Sequence, residues 1–161
     1  PASTLAALLR DFANLQETAQ PEAIQTGYFG AADQIAPVAE FIADSQKKAN
    51  IFYLLDPVLG DAGKLYVAQS IADAIQEKLL PLADIITPNA FELGLLAGKK
   101  VTSLAEAETA ARHMLAKKSG RLKAVFATER GRSCPLDPAA RGPGRDLTTP
   151  RGSQDQMFSL Q

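Results

Sequence analysis

Leu5, Leu8, Leu9, Phe12 and Leu15 share one face at helical spacing, which predicts an opening helix with Ser3 or Thr4 as its N-cap. The apolar stretch from Ala23 to Phe29, punctuated by Gly27 and Gly30, reads as a first strand. Ile35, Val38, Ala39 and Ile42 return to helical spacing, and Pro37 falls in the first turn, where its missing N–H costs least. The run Ile51-Phe52-Tyr53-Leu54-Leu55 is too short for a helix and predicts a strand buried on both faces. Ile71, Ile75 and Leu79 mark the next helix, and Leu82 to Ile86 the next strand, closed by Thr87-Pro88-Asn89. A short helix bearing Phe91, Leu95 and Leu96 then stops at Gly98. Ser103 and Glu106 have capping-box spacing ahead of a helix that turns Leu104, Ala107, Ala111, Met114 and Leu115 inward. Lys117 and Lys118 suit the negative end of that helix and Gly120 its C′ position, and Leu122 to Ala127 predicts a fourth strand. Strands alternating with helices predict a parallel sheet joined by right-handed crossovers, an α/β sandwich.

The pattern stops near Glu129. Residues 130–161 hold five Arg and no Lys, with four Pro and four Gly, whereas residues 1–129 hold three Arg and nine Lys. This divides the chain into an α/β body, residues 1–129, and an irregular tail, residues 130–161, expected to be disordered or read from a shifted frame. With 161 residues, 46% hydrophobic and 22% charged, the composition excludes a wholly disordered chain and a disulfide scaffold. A net charge of −1 gives no global electrostatic case for nucleic acid or an anionic membrane surface. No apolar run reaches the roughly 20 residues of a membrane span. The single cysteine, Cys134, cannot pair within the chain and fits a cytoplasmic setting.

Candidate chemistry gathers where three strands end, because ligands of open parallel sheets bind beyond the carboxyl ends of their strands. Thr26-Gly27-Tyr28-Phe29-Gly30 offers close backbone approach and the flat face of Tyr28. Asp56-Pro57-Val58-Leu59-Gly60-Asp61 offers two carboxylates, and Asp61 returns to the cleft if Gly60 permits a tight turn. Thr87-Pro88-Asn89-Ala90-Phe91-Glu92 places an N-cap and an acidic residue at a helix start, an arrangement that capping alone also explains. Together Asp56, Asp61, Asn89 and Glu92 supply hard oxygen ligands suited to Mg²⁺ and nucleotide phosphates. His113, inside a helix, reads as a surface or partly buried residue rather than a catalyst. No P-loop, dinucleotide fingerprint or zinc spacing is present.

Thr-Gly-Tyr-Phe-Gly at 26–30, Asp-Pro-Val-Leu-Gly-Asp with Gly-Lys-Leu-Tyr-Val at 56–67, and Ala-Asp-Ile-Ile-Thr-Pro-Asn-Ala-Phe-Glu-Leu at 83–93 closely resemble the pyridoxal kinases of the ribokinase-like superfamily. The resemblance runs from about residue 4 to residue 128. It implies a ribokinase-like three-layer sandwich, incomplete at both ends in this chain. It implies ATP-dependent phosphorylation of the 5′-hydroxymethyl group of a B6 vitamer, with ATP and Mg²⁺ as cofactors and a homodimer in the intact family. It places Tyr28 beside the pyridine ring, and Asp56, Asp61, Thr87, Asn89 and Glu92 at the nucleotide phosphates, with Asp61 and Glu92 toward the metal.

The family also carries a Gly-x-Gly-Asp segment whose amides form an anion hole and whose Asp acts as base. Gly142-Pro143-Gly144-Arg145-Asp146 has an extra residue and no apolar helix after it, so no catalytic residue is assigned and this chain is expected to be inactive alone. The alternatives are a hydroxymethylpyrimidine kinase of the same superfamily, or a non-catalytic nucleotide-binding remnant. Gly60-Asp61 and Lys64-Leu65-Tyr66-Val67 favour the B6 enzyme over the former.

Overall fold

The computed structural model describes residues 2–15, 21–116 and 121–128, together with a strand at 155–159. Helix α1 spans Ala2–Leu15, strand β1 Ala23–Thr26, helix α2 Ile35–Lys48 and strand β2 Phe52–Leu55. A small hairpin, β3 Gly60–Asp61 and β4 Lys64–Leu65, precedes helix α3, Gln69–Ala74. That helix continues through a π turn at Ile75–Leu79 and a 3-10 turn at Leu80–Leu82. Strand β5 Ile85–Ile86, helices α4 Ala90–Ala97 and α5 Leu104–Leu115, and strands β6 Ala124–Thr128 and β7 Asp155–Ser159 complete the order.

The main sheet runs β1-β2-β5-β6-β7, with the first four strands parallel and β7 antiparallel to β6. Every parallel crossover steps in the same direction, so right-handed connections set their helices on one face. Side-chain alternation agrees. Tyr53, Leu55, Ile86, Val125 and Ala127 point to one face and are buried in the core with Ile42, Ile75, Leu93 and Ala111 from the helices. Phe52, Leu54, Ile85, Ala124 and Phe126 occupy the other face, outside that core. The described residues thus supply the sheet and one helical layer of the expected sandwich. No described helix is long and apolar enough to cross a membrane.

Several local expectations change. Strand β2 was expected to be buried on both faces, but it alternates, with Phe52 43% exposed, because the described helices pack on one side only. The strand expected over Leu82 to Ile86 shortens to two residues. Pro81 lies at the start of a 3-10 turn that keeps Leu80–Leu82 coiled, and the Ala83 N–H closes it on the Leu80 carbonyl. Ser3 and Thr4 lie inside α1 rather than capping it. Ser103 caps α5, accepting from the Glu106 N–H at 3.3 Å, while the Glu106 carboxylate reaches Thr102 N and Oγ1 at 2.7 Å. Leu104, the first residue of α5, stays 44% exposed. Within the tail expected to be irregular, Asp155–Ser159 form an antiparallel edge strand. Lys117, Lys118, Gly120, Cys134 and the 142–146 segment lie outside the described residues.

At the amino end of the strands Asp84 is fully buried. Its Oδ2 accepts from the Tyr53 N–H at 3.0 Å, and its Oδ1 faces Arg121 at 3.3 Å and Lys123 at 3.1 Å. One carboxylate therefore ties β2, β5 and the approach to β6 together, and Lys123 also lies 4.5 Å above the Phe52 ring. Substituting Asp84→Ala leaves the Tyr53 N–H buried without an acceptor. It should lower the urea-unfolding free energy by about 2–3 kcal/mol, with an unchanged far-UV spectrum.

Candidate functional site

Strand pairing alone brings two of the motifs together. Thr26 is in register with Leu55, and Leu55 with Ile86. The ladder extends one residue further, with Asp56 N–H on the Thr26 carbonyl at 3.0 Å and Thr87 N–H on the Leu55 carbonyl at 3.1 Å. Asp56 and Thr87 consequently stand side by side at the carboxyl edge of the sheet. Desolvation at that edge pushes the Asp56 carboxyl above its usual range, only partly opposed by a hydrogen bond from the Thr87 side chain. Beneath them the Thr26 hydroxyl and the Tyr53 phenol are 2.6 Å apart, and burial raises the phenol to about 12, so it stays protonated.

Beyond Asp56 the chain leaves the sheet through a constrained loop. Val58 has φ +38°, an unusual conformation for a β-branched residue, and Leu59 is fully buried. The β3–β4 hairpin turns on Ala62 (φ +49°) and Gly63 (φ +82°), the two left-handed positions of a tight hairpin turn. The turn therefore lies two residues later than Gly60. Gly60 is needed for a different reason. A Cβ there would collide with the Lys64 carbonyl and stand 2.8 Å from the Phe91 ring, so the hairpin packs directly on α4.

Glu92 makes that contact polar as well as steric. Asn89 Oδ1 accepts from the Glu92 N–H at 2.9 Å, and Glu92 Oε2 accepts from the Asn89 N–H at 2.9 Å, a complete capping box. Glu92 Oε1 then accepts from the Leu59 N–H at 2.7 Å and the Gly60 N–H at 3.3 Å. Asn89 Nδ2 donates to the Gly60 carbonyl at 2.7 Å. The capping signal was readable in the sequence; the grip on a loop some thirty residues away was not.

Asp56, Asp61, Thr87, Asn89 and Glu92, all singled out by motif, line one cleft of about 310 Å³, with Val58, Gly60 and Tyr66 completing its wall. Tyr66 was not anticipated. The Tyr66 N–H bonds to the Leu59 carbonyl at 2.9 Å, so the returning hairpin strand delivers it to the cleft, and a two-residue turn at Ala62-Gly63 was the available signal. Tyr28 is not part of this wall. It follows β1 and is 65% exposed, in a turn where Gln34 Oε1 accepts from the Gly30 and Ala31 N–H groups. A larger groove of about 610 Å³ lies on the other flank of the hairpin, against Phe91, Leu95 and Val101. Its lining is mostly apolar, and it shares only Asp61 with the cleft. No described group of three or more His, Cys, Asp or Glu side chains forms a metal cage. Of the three carboxylates on this open cleft, Asp56 and Asp61 instead suit Mg²⁺ that arrives with phosphate oxygens filling most of its shell.

An open parallel sheet whose carboxyl edge gathers carboxylates and a capped helix start has the layout of an edge that can bind a small anionic ligand together with a cation. The match to the phosphomethylpyrimidine kinase model covers residues 4–128, and the chain belongs to that family. It is 37% identical over 118 residues to a pyridoxal kinase of Vibrio parahaemolyticus, covering 72% of this chain and 41% of the relative. The pyridoxal kinase of Leishmania donovani, solved with ADP and pyridoxamine, superposes with a TM-score of 0.63 at 30% identity, over 78% of this chain and 42% of that one. PdxK of Plasmodium falciparum, solved with AMP-PNP and PL, gives 0.70 at 26% identity, over 80% and 47%. The chain thus spans less than half the length of these relatives.

Two outcomes follow from the packing and the desolvation. Gly60→Ala should destabilise the chain by about 3 kcal/mol through backbone overpacking, whereas Gly63→Ala, with open space but φ +82°, should cost about 1 kcal/mol; chemical denaturation compares them. Because burial raises the Asp56 pKa, its ionised form opposes folding at neutral pH, and that penalty fades as pH falls toward the unfolded value of 3.8. Asp56→Asn should therefore raise the melting temperature at pH 7 and lose this advantage near pH 4, as read by thermal scans across that range.

Proposed function

We propose that this chain forms the nucleotide-phosphate and Mg²⁺ side of a pyridoxal kinase. The reaction passes the γ-phosphoryl group of ATP to the 5′-hydroxyl of pyridoxal, pyridoxine or pyridoxamine, yielding the 5′-phosphate, ADP and a proton. The observation that carries the reading is the convergence of Asp56, Asp61, Thr87 and Asn89 on one cleft at the carboxyl edge of a parallel sheet. The family match and the pyridoxal kinase relatives support the same assignment.

Asp61 is a half-buried carboxylate on the hairpin side of the cleft and the residue best placed to attract the metal, with the buried Glu92 adding negative charge behind it. Asp56, held beside Thr87, orients metal-bound water or phosphate rather than competing for solvent. The positive end of α4 favours phosphate oxygens. When bound, Mg²⁺ neutralises charge on the phosphoryl group being transferred, the main requirement of this chemistry. Tyr28 stands at the neighbouring strand end with an exposed ring on which a pyridine can stack. A cytosolic setting and homodimerisation of the intact enzyme rest on the resemblance to pyridoxal kinases.

Because no described residue is assigned as base, binding is the informative measurement on these 161 residues. Titration calorimetry should detect ADP binding that requires MgCl₂ and that weakens about tenfold or more in Asp61→Ala, the loss of roughly one charge-assisted contact. Pyridoxal should bind with an affinity that falls in Tyr28→Ala. Binding of hydroxymethylpyrimidine in place of pyridoxal would transfer the assignment to the other branch of the family, and absence of Mg²⁺-dependent ADP binding would overturn it.

A further inference from the structure

Glu92 is 4% exposed, and both of its carboxylate oxygens are already engaged by backbone amides. Oε1 holds the amides of Leu59 and Gly60, and Oε2 holds that of Asn89. The two held by Oε1 immediately follow Val58, the residue at φ +38°, and precede Asp61. A β-branched residue in that conformation persists only where its surroundings over-determine it. Besides the Tyr66 N–H on the Leu59 carbonyl, three further anchors fix this loop. Asp56 is tied to β1 through its N–H on the Thr26 carbonyl, Leu59 and Gly60 to Glu92, and the Gly60 carbonyl to Asn89 Nδ2 at 2.7 Å.

We infer that Glu92 is a positioning residue that holds the Asp56–Asp61 loop in its strained form through the Leu59 and Gly60 amides, and that it serves the phosphate site in this way rather than as a direct ligand of the metal. Two amides donating to one carboxylate oxygen are strong, charge-assisted bonds in a buried setting. Turning the carboxylate toward a cation would strand both N–H groups away from water. The Asp61 carboxylate, by contrast, accepts from the neighbouring Ala62 N–H, at 2.7 Å on the exposed rim. The division of labour is therefore between one carboxylate that meets the ligand and another that shapes the loop carrying it.

The proposal rests on the functional reading only in the choice of ligand, and amide exchange tests it without one. In the full chain free of nucleotide, the Leu59 and Gly60 amides should be protected from hydrogen exchange, and Glu92→Gln should speed their exchange by about tenfold or more. In the wild-type chain, saturation with MgCl₂ and ADP should leave that protection intact. Loss of protection at these two amides on adding MgCl₂ and ADP would overturn the proposal, because it would mean that the carboxylate swings to the metal. This arm needs no variant and stands even if Glu92→Gln fails to fold.

A strain-relief variant separates the two roles further. Val58→Gly accepts the positive φ without strain, so in the double variant Val58→Gly/Glu92→Gln it should restore much of the ADP affinity lost in Glu92→Gln alone. A direct metal ligand could not be rescued in this way, and absence of rescue would count against positioning. If the wild-type chain binds no ADP, the functional reading fails, and the nucleotide-free exchange comparison still decides the role of Glu92.

Discussion

The carboxylate of Glu92 joins two parts of the chain some thirty residues apart. On one side is the start of α4, whose first N–H groups lack intrahelical acceptors; on the other is the loop leaving β2, whose Leu59 and Gly60 amides are turned away from any strand. A buried carboxylate with three amide donors satisfies both sets at once. The glycine at position 60 then lets the hairpin backbone lie against Phe91 and the opposing strand. On the proposed reading, losing this connection would cost the cleft its shape, since Asp61 lines it as part of the hairpin that Glu92 holds.

The sheet has a matching device at its other end. Asp84 draws Tyr53, Arg121 and Lys123 together where the strands begin, while Asp56 and Thr87 pair where they finish. The buried Asp84 and the half-buried Asp56 are treated differently. Asp84 is neutralised by two cations and stabilises the strand starts. Asp56 has Thr87 as its side-chain partner among the described residues, and desolvation raises its pKa. A carboxylate kept at an energetic disadvantage beside an open cleft is poised to gain from a cation that arrives with its ligand.

Much of this was visible in the residues. The periodic apolar positions gave α2, α4, α5 and the strands of a parallel sheet, because burial on one face imposes a spacing that survives without structural context. Asp56, Asp61, Thr87, Asn89 and Glu92 were recognisable since each follows a strand at its carboxyl end, where backbone topology alone forces convergence. What escaped was set by contacts between distant segments. Glu92 reads as an ordinary cap until Leu59 is placed beside it. Tyr66 looks like a strand residue until the Ala62-Gly63 turn folds it back. Pro81 shortens β5 through a 3-10 turn that the apolar run Leu82 to Ile86 conceals. Phe52 belongs to an apolar run whose sequence cannot say which faces of the sheet are covered.

That Asp56, Asp61, Thr87 and Asn89 form a single phosphate-binding edge can be tested in one spectrum. Adding MnCl₂ with ADP to the isotopically labelled chain should broaden amide resonances by paramagnetic relaxation, in proportion to their closeness to the bound ion. Broadening centred on residues 56–61 and 87–89, with those around Asp84 and Lys123 untouched, is the result the site predicts. Broadening centred at the amino end of the strands, or scattered over surface carboxylates such as Asp44 and Glu108, would contradict it.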